Sequence, residues 1–177
     1  MKYLITSDIH GSIGALDRIL RHFQADQFDM LVLLGDLLNY GPRNSVPADL
    51  NPQAIAGRLN ALKDRIVAVR GNCDSEVDQM LFEFPILSDY ALIVDEGKRL
   101  FLTHGHIYNK ECLPPMGSID CFFYGHTHLP HLTPATQQAP LLCNTGSPTF
   151  PKGGNPPTFA IYENGAPRLC RLDGTAF

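Results

Sequence analysis

Five short polar clusters in this sequence carry the residue types that bind metal ions. Each cluster follows an apolar run and combines carboxylate, imidazole or amide side chains with glycine. The clusters are Asp8-Ile9-His10-Gly11, Gly35-Asp36, Gly71-Asn72-Cys73-Asp74, His104-Gly105-His106 and Gly125-His126-Thr127-His128. Such oxygen and imidazole ligands suit Mn²⁺, iron, Zn²⁺ or Co²⁺, and no thiolate cluster indicates a structural zinc site. Five of the seven histidines fall in these clusters, and we predict that the clusters meet in a site for two metal ions.

Each cluster taken alone also has an ordinary structural explanation. A lone Asp-x-His pair is common on surfaces and at helix starts, and Gly-Asp after a strand is a typical turn whose carboxylate caps the next helix. Asn72 and Asp74 are likewise ordinary turn residues. The metal prediction depends on all five clusters together, each placed at the end of a strand.

The elements that must position these clusters alternate in the first half of the chain. Apolar runs at 2–6, 30–34 and 65–69 are short and continuously hydrophobic, which is typical of strands buried on both faces. Apolar residues at helical spacing predict a helix capped by Ser12, and a second helix is predicted to begin near Pro52. This order favours right-handed crossovers and a mainly parallel sheet, in which the carboxyl ends of the strands line one crevice.

The second half of the chain has a different pattern. Runs at 99–103 and 121–124 again predict strands, and the first of them belongs to a hairpin that turns at Glu96-Gly97. Further short strands are predicted at 141–144, 159–163 and 168–172. No linker or change of composition divides the chain, so we expect a single α/β domain over residues 1–177.

The overall composition argues against some partners and indicates a compartment. A formal net charge of −4 and a pI of about 5.9 provide no field for non-specific binding to nucleic acid or to an anionic membrane. No apolar stretch approaches the length of a signal sequence or a membrane span. The five cysteines are odd in number and scattered, without a C-x-x-C pair, which is typical of reduced intracellular thiols. We therefore expect a cytoplasmic protein.

The ordered motifs D-x-H, G-D, G-N-x-D, H-G-H and G-H-x-H resemble those of the calcineurin-like metallophosphoesterase superfamily. The longer stretches GDLLNYGPRN, VRGNCDSEVDQML, LTHGH, YGHTHLP and PKGGNP are similar to its small bacterial YfcE-type phosphodiesterases. The resemblance covers residues 2 to about 172 and implies a four-layer αββα sandwich. It also implies two divalent metal ions at the strand ends, with Mn²⁺ expected first and zinc, iron, cobalt or nickel as alternatives.

The same resemblance implies a role for each candidate metal ligand. One ion would be held by Asp8, His10 and His128, the other by Asn72, His104 and His126, and Asp36 would bridge both. The implied reaction is hydrolysis of a small-molecule phosphodiester, whose identity stays open, by attack of a metal-bridging hydroxide.

Four residues are candidates for acting on the substrate, namely Asn72, Cys73, His106 and Arg43. Many superfamily members have histidine at the position of Cys73, where it can protonate the departing oxygen. A thiol is shorter and a weaker donor, so we hypothesise weak activity on alkyl esters and better activity on diesters with good leaving groups. The alternative is that Cys73 only packs.

The remaining candidates have open roles. Arg43 is expected either to bind the substrate phosphate or to be a solvated loop arginine. His106 is expected to donate a hydrogen bond near the substrate rather than to bind a metal ion. Asp74 is expected to support a ligand or to cap the helix predicted over SEVDQML, with support of a ligand as the first expectation. Lys152 borders either the cleft or a subunit contact.

Two other functions stay open at this point. The same ligands would serve a phosphomonoesterase or nucleotidase. The same fold also serves as a non-catalytic subunit of the eukaryotic retromer complex. A complete set of ligands favours an enzyme, because a scaffold does not need one. The oligomeric state also stays open, and a homo-oligomer is one possibility.

Overall fold

Two five-stranded sheets form the centre of the computed structural model, which describes residues 1–177. The strands are β1 (Tyr3–Thr6), β2 (Met30–Leu33), β3 (Ile66–Ala68), β4 (Tyr90–Asp95), β5 (Lys98–Thr103), β6 (Cys121–Tyr124), β7 (His131–Thr133), β8 (Leu141–Asn144), β9 (Thr158–Glu163) and β10 (Ala166–Arg171). The helices are α1 (Ile13–Ala25), α2 (Pro52–Asn60) and the short α3 (Glu76–Gln79), and a 3-10 turn spans Lys63–Arg65.

Both sheets have parallel strands at the centre and antiparallel strands at one or both edges. The first sheet has the order β10-β9-β1-β2-β3, with β1, β2 and β3 parallel as predicted. The second has the order β4-β5-β6-β8-β7, with β5, β6 and β8 parallel. The predicted hairpin is confirmed, since Asp95 pairs with Lys98 and Glu96 and Gly97 both have positive φ. The sequence did not predict β7, because its three residues are partly exposed and show no apolar run.

The two longer helices begin as the sequence predicts. The Ser12 hydroxyl accepts a hydrogen bond from the Ala15 amide at 3.2 Å and so caps α1. Pro52 occupies the first turn of α2, where Asn51 supplies the cap through its side-chain oxygen. No helix of the structure has the length and apolar character needed to cross a membrane.

The continuous hydrophobicity of the central strands is explained by two packed faces. Leu4 of β1 points toward α1 and lies in one core with Leu16 and Ile19. Its neighbours Tyr3 and Ile5 point to the other face, into a core shared by the two sheets. A strand buried on both sides cannot alternate apolar with polar residues, and this is the pattern in the sequence.

The predicted α/β sandwich fold is confirmed, and its fourth layer is irregular chain rather than helix. On the outer face of the second sheet, Phe101, Phe122 and Tyr124 pack against residues of the segment 105–120. This segment contains no helix, because its two adjacent prolines and its glycines disfavour one.

Candidate metal centre

The polar clusters lie where parallel strands of both sheets end. Asp8 follows β1, Asp36 follows β2 and Asn72 follows β3, while His104 follows β5 and His126 follows β6. Because parallel strands end at the same edge of a sheet, five segments distant in sequence converge there. The structure therefore brings together all seven residues predicted as metal ligands.

Five of these seven residues adopt the left-handed backbone conformation, which costs roughly 1–3 kcal/mol for a residue with a side chain. Their positive φ angles are 58° for Asp8, 50° for His10, 55° for Asp36, 66° for His126 and 59° for His128. Backbone hydrogen bonds between the segments hold these conformations, such as Asp8 N to Gly35 O at 3.0 Å and His10 N to Asp36 O at 2.9 Å. Such strain is concentrated at functional sites, where it aims side chains that a regular strand would point elsewhere.

Two glycines allow the segments to approach each other. A side chain at Gly71 would collide with the Asp36 carboxylate, and one at Gly125 would collide with the Ser7 hydroxyl. The glycine before each ligand therefore provides close contact between segments, as the motifs G-N-x-D and G-H-x-H suggested.

Asp8, His10 and His128 form the first group of ligand atoms. Asp8 Oδ1 lies 3.2 Å from His128 Nε2 and 3.4 Å from His10 Nε2, and these two nitrogens are 3.1 Å apart. Each imidazole places its Nδ1 on a backbone carbonyl, Asn39 O for His10 and Phe150 O for His128. A neutral ring whose Nδ1 donates has a lone pair on Nε2, so both lone pairs face the same point. That arrangement fits a metal cation.

His104, Asn72 and His126 form the second group. His104 Nδ1 donates to Leu34 O at 2.7 Å, and its Nε2 lies 3.1 Å from Asn72 Oδ1 and 3.3 Å from His126 Nδ1. Asp36 Oδ2 lies 3.5 Å from His104 Nε2 and 3.7 Å from His10 Nε2. Asp36 is thus within reach of both groups, as the predicted bridging role requires.

An unpaired oxygen gives a second sign that a cation fits here. Asp8 Oδ2 accepts hydrogen bonds from the Ser7 hydroxyl at 2.7 Å and the His126 amide at 2.8 Å. Asp8 Oδ1 is buried and has no hydrogen-bond partner in the chain. Buried carboxylate oxygens are normally paired, so this one has room for a metal bond.

The electrostatics of the cluster also favour a positive charge. Burial lowers the pKa of His104, but the Asp8 and Asp36 carboxylates outweigh it and raise that pKa to about 9. Burial opposes ionisation of Asp8, yet His104 and its histidine neighbours hold the Asp8 pKa well below its usual range. Burial and the nearby His104 lower the pKa of His126 to about 4, which leaves this ring neutral and able to bind metal. Two buried carboxylates thus hold a proton on His104 in the metal-free chain, and a divalent cation that binds here can replace that positive charge.

Asp74 supports the ligands from beneath and does not face the ions. Its carboxylate accepts from three backbone amides, Gly71 at 2.7 Å, Asp36 at 2.8 Å and Leu37 at 2.9 Å. It thereby joins the loop that carries Asn72 to the loop that carries Asp36, as predicted. Burial and the Asp36 carboxylate raise the pKa of Asp74 to about 6, against the effect of these amides.

Some supporting residues were missed by sequence reasoning. Thr149 donates to Ile9 O and Ser147 donates to Asp8 O, both at 2.8 Å, which fixes the first ligand loop. Asn144 donates to Gly125 O at 2.8 Å and fixes the last ligand loop, which carries His126 and His128. Hydroxyls and amides that bond only to backbone have no spacing signature, so their role is visible only in the fold.

The residues predicted to act on substrate do not all lie in one place. A small cleft over the ligands, here called the metal-site cleft, is bordered by Arg43, Asn72, Cys73 and Lys152. Lys152 thus borders the cleft, one of its two predicted places. His106 is not among the residues that line this cleft and lies on the other side of His126, with ring centroids 6.2 Å apart.

The chain matches a family model with known chemistry. The model, described as the calcineurin-like phosphoesterase superfamily domain, matches residues 1–165. The chain belongs to this superfamily. The family resemblance in the motifs is confirmed, and so is the predicted enzyme class, a phosphoric ester hydrolase.

Individual members of the superfamily are also similar to the chain. Phosphodiesterase YfcE of Escherichia coli strain K12 is 47% identical over 165 residues, which cover 93% of this chain and 88% of YfcE. The solved structure of YfcE, a phosphoesterase from E. coli, matches with a TM-score of 0.94 and 43% identity and covers 100% of this chain and 97% of that one. Vps29 from Chaetomium thermophilum matches with a TM-score of 0.66 at 16% identity, covering 99% of this chain and 93% of that one, which shows a shared fold alone.

Proposed function

We propose that this chain is a phosphodiesterase that uses two divalent metal ions. The observation that carries the proposal is the convergence of buried imidazole nitrogens and a buried carboxylate oxygen on one point. His10 Nε2, His128 Nε2 and Asp8 Oδ1 lie within 3.4 Å of one another. Identity of 47% to a phosphodiesterase over 93% of the chain supports the same reaction class.

The proposed ligands divide into two sets. Asp8, His10 and His128 are assigned to one ion, Asn72, His104 and His126 to the other, and Asp36 to both. When bound, the two ions supply an activated water as nucleophile and neutralise charge on the phosphoryl oxygens. Attack by a metal-bridging hydroxide stays a prediction from the family resemblance. The mixed oxygen and nitrogen donors accept several divalent ions, and Mn²⁺ stays the first expectation, with zinc, iron, cobalt or nickel as alternatives.

The chain's own groups bind and orient the substrate around the metal-site cleft. Arg43 and Lys152 bring two positive charges to the cleft, where they attract a phosphate group. Asn72 Nδ2 donates to Cys73 Sγ at 3.2 Å, which leaves Asn72 Oδ1 facing His104. The Asn72 amide is therefore held in the orientation that a ligand needs.

The side-chain chemistry of Cys73 limits its use as a proton donor. In the metal-free chain, burial and the Asp36 carboxylate raise the pKa of the Cys73 thiol to about 12. A thiol is also shorter than an imidazole and a weaker hydrogen-bond donor, so it gives little help to an alkoxide leaving group. This supports a preference for diesters with good leaving groups, in which little proton transfer is needed.

The two alternative functions have less support. A phosphomonoesterase or nucleotidase would use the same metals. Hydrolysis of an alkyl monoester, however, needs a proton donor for the departing alkoxide, and the Cys73 thiol is a weak one. A non-catalytic scaffold shares the fold, as Vps29 does at 16% identity. A scaffold does not require five ligands in strained backbone conformations.

One experiment separates these functions. The purified chain is loaded with Mn²⁺, its metal content is measured, and rates are compared for bis(p-nitrophenyl) phosphate and p-nitrophenyl phosphate. We expect hydrolysis of the diester to be the faster reaction. A faster monoester reaction would indicate a phosphatase. No turnover of either ester with saturating Mn²⁺, Zn²⁺ or Co²⁺ would exclude the enzyme.

We also propose a cytoplasmic location and a small-molecule phosphate ester as substrate. All five cysteines are free thiols, and three of them are buried, which suits a reducing compartment. The net charge of −4 argues against a polyanionic partner bound by charge alone. Whether the chain forms a homo-oligomer stays open.

A further inference from the structure

A second cavity lies directly beside the metal centre. It has a volume of about 330 Å³ and shares the His126 side chain with the metal-site cleft. Its walls come from the segment that follows β5 and from the segment between β6 and β7, and they include His106, Tyr124, Thr127 and Leu129. We call it the His106 cavity. None of its lining residues other than His126 is a proposed metal ligand, so the metal site does not explain it.

The size of the metal-site cleft shows why a second space is needed. That cleft has a volume of only about 30 Å³, against about 330 Å³ for the His106 cavity. A phosphodiester has two ester substituents, and a ring-sized one does not fit in the cleft beside the phosphoryl group. The His106 cavity is the space that shares the His126 side chain with the cleft.

A larger cavity lies far from the metal centre. It has a volume of about 640 Å³ and is lined by Cys121 and Leu141. These residues begin β6 and β8, whereas the metal ligands follow the other ends of the parallel strands. This larger cavity therefore lies at the opposite edge of the second sheet.

The His106 side chain is placed to receive a ligand. Its Nδ1 is buried and has no hydrogen-bond partner, unlike the Nδ1 atoms of His10, His104 and His128, which bond to backbone carbonyls. Its ring is held by packing, with centroids 5.3 Å from His104 and 6.2 Å from His126. A buried ring nitrogen without a partner is unusual, and a group bound in the cavity would give His106 the hydrogen bond that the chain does not provide.

The rest of the lining indicates what such a group would be. His106, Tyr124, His126 and His131 contribute rings, Leu129 and Pro130 contribute aliphatic surface, and Asn109, Lys110 and Glu111 contribute polar and charged groups. Thr127 accepts hydrogen bonds from Asn144 and Leu129, which leaves its hydroxyl proton free to donate. Rings and aliphatic surface beside groups that donate and accept hydrogen bonds suit a heterocyclic ring, which has both a flat face and polar edges.

We propose that the His106 cavity binds the ring of an aromatic or heterocyclic ester substituent, such as a nucleoside, while the phosphoryl group lies at the metals. This inference rests on the proposed phosphodiesterase function and specifies its substrate class. His106 is a specificity-determining residue that packs on the ring and hydrogen bonds to it. His126 forms the wall between the ring and the phosphoryl group.

The kinetic test uses two diesters that release the same p-nitrophenol, methyl p-nitrophenyl phosphate and thymidine 5′-(p-nitrophenyl phosphate). In the Mn²⁺-loaded enzyme we expect a KM about tenfold lower for the thymidine ester, since stacking of a base on a side-chain ring has this order of effect. His106→Ala and Leu129→Ala should raise the KM of the thymidine ester toward that of the methyl ester, with kcat changed less than about twofold.

Leu132→Ala is the matched control, because Leu132 is 41% exposed and Leu129 is 43% exposed, and Leu132 does not line the cavity. The proposal is overturned if His106→Ala changes the KM of both esters equally or of neither. Turnover of the methyl ester by the unmodified enzyme tests the phosphodiesterase function separately, since the substituent that stays on phosphorus in this ester is a methyl group, with no ring to place in the cavity.

A binding measurement does not depend on turnover. Thymidine 5′-monophosphate and methyl phosphate are added to the ¹⁵N-labelled, Zn²⁺-loaded chain, and ³¹P spectra check that both stay intact. Only the thymidine compound should shift the amide signals of Lys110 and Leu129, and His106→Ala should abolish that shift. Equal shifts with both compounds, or none at these residues, would reject the cavity as a ring site.

Discussion

His10 Nε2 lies 3.1 Å from His128 Nε2, although both rings use Nδ1 to donate to backbone carbonyls. This tautomer is assigned from the carbonyl partners, and it leaves two lone pairs pointing at each other. Asp8 Oδ1 adds a carboxylate oxygen 3.2 Å from His128 Nε2. Three acceptors this close repel one another unless a positive charge joins them. Burial lowers the pKa of His10, but the Asp8 carboxylate outweighs it and raises that pKa, so a proton joins these atoms in the metal-free chain. A metal ion that binds here takes the place of that proton.

Replacement of His128 by alanine should remove one of the two proposed metal ions and most of the activity. Loss of residues that merely support ligands costs about 10–100-fold in metal affinity or activity, so loss of a ligand should cost more than about a hundredfold. Metal content by mass spectrometry and kcat/KM for bis(p-nitrophenyl) phosphate are the measurements. His22→Gln is the histidine control, because His22 bonds to Leu172 O on the helical side of the first sheet. Full metal content in the His128 variant would contradict the ligand assignment.

Replacement of Asp74 by alanine should destabilise the whole fold. Three buried backbone amides would lose their acceptor, and an unsatisfied buried group costs about 1–3 kcal/mol, so we expect a loss of about 3 kcal/mol or more. Urea denaturation measures the free energy of unfolding. Asp64→Ala is the control, because Asp64 is exposed and makes no hydrogen bond or ion pair through its side chain. A loss below about 1 kcal/mol would mean that water replaces Asp74 as the partner of these amides.

The sequence predicts which residues reach the metal site better than it predicts their geometry. The spacing of the five clusters, each after a buried run, was enough to predict that they meet, and the family resemblance selected the seven candidate ligands among them. Nothing in the spacing predicts that Asp8, Asp36 and His126 have left-handed backbones, because that conformation is imposed by hydrogen bonds from other segments. Local pattern therefore indicates the ligands, and tertiary contacts aim them.

The position of His106 is a second feature that the sequence predicts only in part. The motif His104-Gly105-His106 predicts two histidines near the metals, and both are near. The sequence cannot tell on which side of His126 the second ring lies, since that depends on how the segment after β5 crosses the outer face of the second sheet. The irregular fourth layer has the same origin, because Pro114 and Pro115 exclude a helix but do not specify what replaces it.

The Cys73 thiol should be unreactive near neutral pH once metal ions are removed with a chelator. Burial and Asp36 raise its pKa to about 12, so the thiolate is disfavoured and becomes common only as the pH approaches that value. Alkylation by iodoacetamide at pH 7 should be more than about a hundredfold slower than for a model thiol of pKa about 8.5. The rate should rise steadily with pH up to about 11. Peptide mass spectrometry follows the reaction, and a plateau below pH 9 would show a thiolate that the structure does not explain.

Arg43→Ala should weaken binding of the substrate phosphate. Charge-assisted hydrogen bonds to phosphate are among the stronger ones, and we expect KM for bis(p-nitrophenyl) phosphate to rise about tenfold, with Arg43→Lys recovering part of the loss. The measurement is KM and kcat with saturating Mn²⁺. Arg21→Ala is the control, because Arg21 is an exposed arginine of α1 with no hydrogen bond or ion pair from its side chain. An unchanged KM would make Arg43 a solvated loop residue.

Cys73→His should change how the rate depends on the leaving group. The imidazole is longer than the thiol, and Gly41 lies close to the thiol, since a Cβ on Gly41 would lie 2.8 Å from Cys73 Sγ, so we expect the ring to turn away from Gly41 toward the metal-site cleft that Cys73 borders. A histidine here has a pKa near the working pH and can protonate a departing alkoxide, an effect of about 10²–10⁴-fold. Alkyl diesters should therefore gain far more than aryl diesters, and a plot of log kcat against leaving-group pKa should become less steep.

Cys73→Ala is the companion variant for this experiment. If the Cys73 thiol only packs, the alanine variant should lose stability but show the same slope as the unmodified enzyme. If the introduced imidazole transfers a proton, the slope should be less steep for the histidine variant than for the alanine variant. Equal stability of these two variants would show that the difference in slope is chemical and does not arise from packing. A slope unchanged by Cys73→His would reject a role for this position in protonating the leaving group.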